Sequence, residues 1–168
     1  MLLSAGLLAE GCSSLGRVAP LHSGVWPEFK PYLDEFVAAA KAEGVDVSWR
    51  ARALVVHRAG KLMGPTVATC YVTLVGGNEI ELDGSLWDRI SASKRMDISF
   101  HELGHCLLGR MHTYEGGRYP KGTLSNMGRG PGYLADGCPQ SIMHPVVLEP
   151  DCVVTHWQGY VKELFSVR

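Results

Sequence analysis

The sequence predicts a single α+β domain. Three observations point there. Residues 28–43 and 93–108 carry apolar side chains at three- and four-residue steps, the period of a half-buried helix. The stretch between them, 45–82, consists of short β-branched runs punctuated by Gly and Pro. Beyond 108 the chain becomes irregular, rich in Gly, Pro and polar residues, before a last helical stretch at 153–165. A length of 168 residues suits one domain with a real core.

Taken in order, residues 13–25 have Ser, Gly and Pro and no periodicity, and read as a linker. In 28–43 the residues Phe29, Tyr32, Leu33, Phe36, Val37 and Ala40 mark one helix face. Pro27 and Pro31 suit its first turn, and Gly44 its C-terminal cap. Val45–Trp49 alternates as a strand does, and Ala53–His57 is apolar and β-branched. Thr66–Val75 is the strongest strand of the chain. Gly76-Gly77-Asn78 reads as a tight turn, with Glu79–Leu82 as the returning strand. Residues 83–90 read as a loop with a short helical turn. Ser93–Leu108 follows as a helix, with Ser91 or Ser93 as N-cap and Phe100, Leu103, Leu107 and Leu108 on its buried side. Residues 113–140 are long for a connection, and loops of that length are often functional. Tyr114, Tyr119 and Tyr133 lie there, each able in principle to donate to a developing oxyanion, with surface packing as the plainer role. The last helix carries Trp157, Tyr160, Val161 and Leu164 at helical spacing.

Composition excludes several classes. The net charge of −1 gives no argument for nucleic acid or for an anionic membrane surface. No apolar run is long enough to span a bilayer, no internal repeat is present, and a monomer is expected. The N-terminus stands apart. Residues 2–9 are a short, mostly apolar stretch followed by Glu10-Gly11-Cys12. An apolar region ending in a small residue and Cys resembles a bacterial lipoprotein signal, with Cys12 as the lipidated residue. No Lys or Arg precedes it and Glu10 fits poorly, which leaves a frayed apolar tail as the alternative. Residues 1–12 are therefore expected to be an export signal, 13–25 a linker and 26–168 the working domain. The expected location is a bacterial cell envelope, or outside the cell.

Five cysteines occur. With Cys12 set aside, Cys138 and Cys152 are the natural pair, closing a short loop around residues 141–145. Cys70 and Cys106 can pair if the strand carrying the first lies on the helix carrying the second. Buried free thiols are the alternative. No C-x-x-C spacing argues for zinc binding by cysteine.

The chemistry is concentrated at His101-Glu102-Leu103-Gly104-His105, an H-E-x-x-H pattern. Residues four apart share a helix face, so His101 and His105 can reach one metal ion. Glu102 lies about 100° round the helix, where it can hold and deprotonate a water on that metal. Gly109 can take positive φ and reverse the chain, bringing His112 to the metal as third ligand. Ser141-Ile142-Met143-His144-Pro145 follows about thirty residues on.

The combination resembles the metzincin metallopeptidases, whose pattern is H-E-x-x-H-x-x-G-x-x-H followed by a Met-turn. Here three residues, Cys106, Leu107 and Leu108, stand between the second His and the Gly, where the family has two. The extra residue rotates the turn by about 100° unless the helix end tightens. With this longer spacing and a Ser-Ile-Met-x-Pro segment, the chain is similar to a group of bacterial metzincin-like peptidases. The resemblance covers roughly residues 26–147, and its specificity lies in 100–112 and 141–145. It implies a zincin fold: a mixed twisted sheet over an active-site helix, an irregular C-terminal half and a C-terminal helix packed behind the site. It implies Zn2+ held by His101, His105 and His112, Met143 beneath them, and Glu102 as general base for hydrolysis of a protein or peptide. Substrate is expected antiparallel to an edge strand, with Thr66–Leu74 as the best candidate.

Two other readings stay open at this stage. One is a zincin whose third ligand is Asp136, Glu149 or Asp151. The other is a metal-binding but non-catalytic envelope lipoprotein, against which the presence of Glu102 counts. His22, His57 and His156 fit no ligand spacing and read as surface or packing residues.

Overall fold

The structure is a computed structural model, and it describes residues 17–112 and 133–166. The expectations for Cys12, for the export signal, and for Tyr114 and Tyr119 lie outside the described residues. Within them the architecture is α+β: a three-stranded mixed sheet and helices packed round one central helix.

A 3₁₀ turn, Pro27–Phe29, leads into α1, Lys30–Ala42. Leu33, Phe36 and Ala40 form its buried stripe, as the periodicity predicts. Gly44 ends it at φ +75°. The N–H groups of Gly44 and Val45 return to the carbonyls of Lys41 and Ala40 at 3.1 and 2.8 Å, a Schellman closure of the helix end.

The strand expected at Val45–Trp49 is not formed. Asp46 Oδ1 accepts the Ser48 N–H at 2.9 Å and starts a short helix instead, α2, Ser48–Ala53. A side chain that offers the backbone a local acceptor defeats an alternating pattern five residues long. The strand expected at 53–57 is β1, Val55–Ala59. The strand expected at 66–75 is shorter, β2, Ala68–Tyr71. It ends early because Asn78 Oδ1 takes the Thr73 N–H at 3.0 Å in place of a ladder carbonyl, while Thr73 Oγ1 bonds Gly77 O. Gly76 and Gly77, at φ +86° and +101°, make the turn into β3, Glu79–Asp83. A Cβ on Gly77 would lie 2.0 Å from Ala53 O, so only glycine fits there.

The strand order is β1-β3-β2. β1 pairs parallel with β3, Val56 opposite Ile80, and β2 pairs antiparallel with β3, Cys70 opposite Ile80. β2 is thus an edge strand. Asp83 N–H donates to Val67 O at 2.8 Å. Continuing that alternation leaves the main-chain groups of Ala68 and Cys70 pointing off the outer edge.

The segment read as a linker is, from Arg17 onward, tied to this sheet. Arg17 ion-pairs Glu79 at 2.6 Å and Glu81 at 3.0 Å, and lies 3.6 Å over the Tyr71 ring. Val25 bridges Val56 in parallel. Glu79, fully buried, also accepts from Leu21 N–H and pairs with His22 Nδ1. The contacts of Glu79 and Glu81 span about sixty residues of sequence, and none of these contacts left a local periodic signal.

After β3, Asp83 caps the short α3, Gly84–Trp87, by accepting the Leu86 N–H. Then comes α4, Ala92–Leu108, capped by Ser91 Oγ and closed by Gly109 at φ +69°. α4 is the centre of the molecule. From Asp97 to Leu107 every residue is buried, so it is enclosed on all sides and not only on the Phe100–Leu103–Leu107 face. α1, β2, β3 and α5, Pro150–Ser166, pack against it. Phe36 of α1 sits edge-to-face with Phe100 of α4 and Phe165 of α5, both at 5.1 Å between centroids.

Two disulfides close the domain. Cys70–Cys106 fastens β2 to α4 across 36 residues of sequence, and Cys138–Cys152 fastens the irregular segment to α5 across 14. No described helix is long and apolar enough to cross a membrane.

Candidate metal centre

α4 carries His101 and His105 on one face, one turn apart. The reversal at Gly109 returns the chain so that His112 faces both. His101 Nε2 lies 3.1 Å from His105 Nε2 and 2.9 Å from His112 Nε2. The three ring centroids are 4.7–4.9 Å apart. The extra residue before Gly109 is absorbed at the helix end: the Arg110 N–H returns to Gly104 O and the Gly109 N–H to His105 O. The longer spacing therefore still delivers His112.

The opposite ring nitrogens of His101 and His105 fix their tautomers. His101 Nδ1 donates to Ile142 C=O at 2.8 Å, and His105 Nδ1 donates to Arg110 C=O at 2.5 Å. A carbonyl only accepts, so the proton sits on Nδ1 in both rings. Burial, reinforced by the neighbouring imidazoles, pushes all three histidines down to about 3, so at neutral pH they are uncharged. The two Nε2 atoms of α4 are then bare lone pairs facing each other at 3.1 Å, an arrangement that repels unless a cation lies between them. Zinc–imidazole bonds of about 2.0–2.1 Å at tetrahedral angles set the nitrogens about 3.3 Å apart, close to the separations here. The donor set fits a divalent metal ion.

Glu102 is fully buried on the same helix, and neither carboxyl oxygen has a hydrogen-bond partner among the described residues. Burial pushes it up to about 8. The Cys70 main chain on β2 is near enough to pull it down, but not in bonding geometry, so burial wins. A buried, unpartnered carboxyl costs about 1–3 kcal/mol or more, which a fold keeps where the group has work to do. A bound cation nearby is what would offset that cost.

Met143 is fully buried, with its Sδ against α4 at Gly104, where a Cβ would come within 2.7 Å of the sulfur. That glycine lets the Met segment lie directly under the histidines.

The acidic alternatives for the third ligand are elsewhere. Asp136 pairs with His156 at 2.6 Å, Glu149 with Lys94 at 3.6 Å, and Asp151 is exposed in the first turn of α5. Among the described residues two other groups of potential ligands exist, but their donors are engaged: Arg17 already pairs both Glu79 and Glu81 beside His22, and the Cys138 sulfur beside Asp136 and His156 is in a disulfide. His22 stacks on His57 at 3.5 Å between centroids. Tyr133 Oη bonds His144 Nε2 at 3.1 Å, next to the Met segment.

Sequence reasoning missed the groups that hold the histidines in place. Arg110, Ser141 and Glu163 form a chain of bonds behind the histidines, described below. Asn78 Nδ2 and Arg50 Nη1 donate to the Cys106 and Leu107 carbonyls at 2.6 Å each and satisfy the end of α4. The Arg110 carbonyl lies two residues past a helix end that was itself legible, and Ser141 opens the Ser-Ile-Met segment; the others carried no spacing that could have found them.

Comparison with known proteins returns no matching family model, no matching curated protein and no matching solved structure. The functional reading therefore stands on the geometry and on the motif.

Proposed function

We infer that the protein is a zinc-dependent endopeptidase of metzincin type, with His101, His105 and His112 as ligands and Glu102 as general base. The observation that carries this is the convergence of imidazoles whose protons are held on the far side by carbonyls, beside a buried unpartnered carboxyl. Three neutral nitrogen donors with an open position suit catalytic zinc better than magnesium or calcium, which take oxygen donors. When bound, zinc would supply Lewis acidity to a scissile carbonyl and lower the pKa of water to about 7.

The chain's own residues do the rest. Glu102 accepts the proton of the attacking water and returns it to the leaving amine. Burial raises its basicity, and a bound divalent cation would pull it back toward the range where the carboxylate form is available at neutral pH. An extended peptide pairing with the edge strand of the sheet, within Thr66–Leu74, would bring its carbonyl toward the site. Met143 and the segment 141–144 fill the role of the Met-turn. The mixed sheet over α4, the irregular half and α5 behind the site agree with a metzincin-like fold.

On this reading the enzyme works in a bacterial envelope, tethered through Cys12 or released. Two disulfides suit an oxidising compartment. The substrate is protein or peptide.

The test is elemental analysis of the purified chain together with a casein or peptide-library cleavage assay. The expected result is about one zinc per chain and cleavage abolished by chelation. Tight zinc binding with no cleavage across a broad library would make the protein a metal-binding module instead.

A further inference from the structure

Behind the histidines, one carboxylate ties together the two segments that set their tautomers. Glu163 Oε1 accepts from Arg110 Nη2 at 2.6 Å, and Glu163 Oε2 accepts from Ser141 Oγ at 2.8 Å. Arg110 also donates from Nη1 to the Glu163 and Leu164 carbonyls, at 3.2 and 2.7 Å. Ser141 Oγ in turn accepts the Met143 N–H at 3.0 Å. The two segments held in this way carry the acceptors of the metal ligands. The Arg110 carbonyl takes the His105 Nδ1 proton, and the carbonyl of Ile142, between Ser141 and Met143, takes that of His101.

We propose that Glu163 is a positioning residue of the metal centre: by holding Arg110 with one oxygen and Ser141 with the other, it fixes both carbonyls that orient His101 and His105. The proposal rests on the metal-centre reading and adds to it a part on α5, a helix that contributes no ligand. The bonds are sheltered: Ser141 is 1% exposed, and the Arg110 and Glu163 side chains 11% and 24%. A charge-assisted, two-pronged carboxylate at low exposure is stiffer than a surface ion pair. With it removed, Arg110 keeps only its bonds to α5 carbonyls, and Ser141 loses the group that aims its hydroxyl. Both imidazoles then gain freedom to rotate, and the binding site must be reordered each time metal binds. Groups bonded directly to a ligand typically contribute 10–100-fold to metal affinity, and Glu163 holds two such groups at once.

The experiment uses the full chain and cobalt(II) as the probe, because cobalt reports affinity and ligand geometry through its visible spectrum. Glu163→Gln, Glu163→Ala and Ser141→Ala are compared with wild type well below the melting temperature. Tyr160→Phe serves as control, since it changes a buried side chain of α5, removing a hydroxyl that has no hydrogen-bond partner among the described residues, and leaves the bonds of Glu163 in place. Nδ1–H proton resonances of the apo protein report the two carbonyl bonds directly. The expected result is a 10–100-fold weaker cobalt affinity and a shifted spectrum for the Glu163 variants. A smaller loss is expected for Ser141→Ala and none for Tyr160→Phe, with the two downfield Nδ1–H signals weakened only when Glu163 or Ser141 is changed. If Glu163→Ala fails to fold, Glu163→Gln, which keeps the shape and loses the charge, carries the comparison. Wild-type affinity and spectrum in folded Glu163 variants overturn the proposal. So does an equal loss in Tyr160→Phe, which would make the effect one of helix docking. A wild type that binds no cobalt overturns the metal-centre reading itself, a result distinct from either of these.

Discussion

Between Lys30 and Leu108 the chain is held by regular structure and apolar burial: Leu33, Phe36, Val56, Ile80, Phe100 and Leu103 are all 5% exposed or less. Between Tyr133 and Glu149 it forms no helix or strand. Ile142, Met143, Val147 and Leu148 anchor that segment in the core, and its backbone is placed by single contacts: the disulfide to α5, Ser141 to Glu163, the Leu148 N–H to buried Asp97, and the Ile142 carbonyl to His101. The first region decides where the ligand imidazoles project. The second, through the Ile142 carbonyl, decides how His101 is turned, while the Arg110 carbonyl turns His105. Damage to the first should therefore appear mainly as lost stability, and damage to the second mainly as lost metal affinity at modest cost in stability.

The largest effect is expected from a ligand. Zinc sites in small domains contribute about 10–16 kcal/mol, so His101→Ala should remove roughly 3–5 kcal/mol of binding. Zinc titration with a competing chelator measures it. The same loss for His112→Ala places the third ligand, whereas unchanged affinity would remove His112 from the centre.

The disulfides compare the two regions next. By chain-entropy arguments the 36-residue closure stabilises by about 4 kcal/mol and the 14-residue closure by about 3 kcal/mol. Double Cys→Ser variants, unfolded in urea with and without zinc, separate the roles. Breaking Cys70–Cys106 should lower stability and leave the affinity of the folded protein close to wild type. Breaking Cys138–Cys152 should lower both.

Gly104→Ala tests the seam between the regions. The new methyl would meet Met143 Sδ at 2.7 Å and Leu164 Cδ1 at 3.1 Å. Overpacking of this kind costs about 1–3 kcal/mol. It should push the Met segment off the helix and weaken metal binding by more than its effect on stability suggests.

How much of this was legible follows the same division. The His101–His105 pair, the turn at Gly109 and His112 lie within twelve residues, where helical spacing fixes geometry. The helix stripes of α1 and α4 were legible for the same reason. Cys138–Cys152 was legible because only one short loop lay between the partners. The Arg110–Glu163–Ser141 chain was not, since its partners are 53 and 22 residues apart and joined only by packing. The Arg17–Glu79 clasp, 62 residues apart, hid a sheet-bound segment inside what reads as a linker. At Val45–Trp49 the alternation was real but too short, and the carboxylate of Asp46 decided for helix.

The smallest effect concerns Asp97, which joins the two regions by accepting the Leu148 N–H at 2.8 Å. Burial pushes it up to about 7, above the ordinary carboxyl range. The folded state then holds a proton that the unfolded chain has released, so this contribution to stability is full below about pH 4 and is lost as pH rises through about 7. Asp97→Asn should flatten the decline between pH 5 and pH 8 in urea unfolding. An unchanged slope would show that another group causes it.

In the function proposed, a metal held by the three histidines works with Glu102 to hydrolyse peptide bonds. The most direct measurement is peptide cleavage by zinc-loaded wild type and zinc-loaded Glu102→Gln, with metal content determined on the same samples. Gln keeps the shape of the side chain but cannot accept the proton. General acid–base assistance is worth about 10²–10⁴-fold, so cleavage should fall by at least about 100-fold while zinc content stays the same. Equal cleavage by the two zinc-loaded proteins would contradict the account.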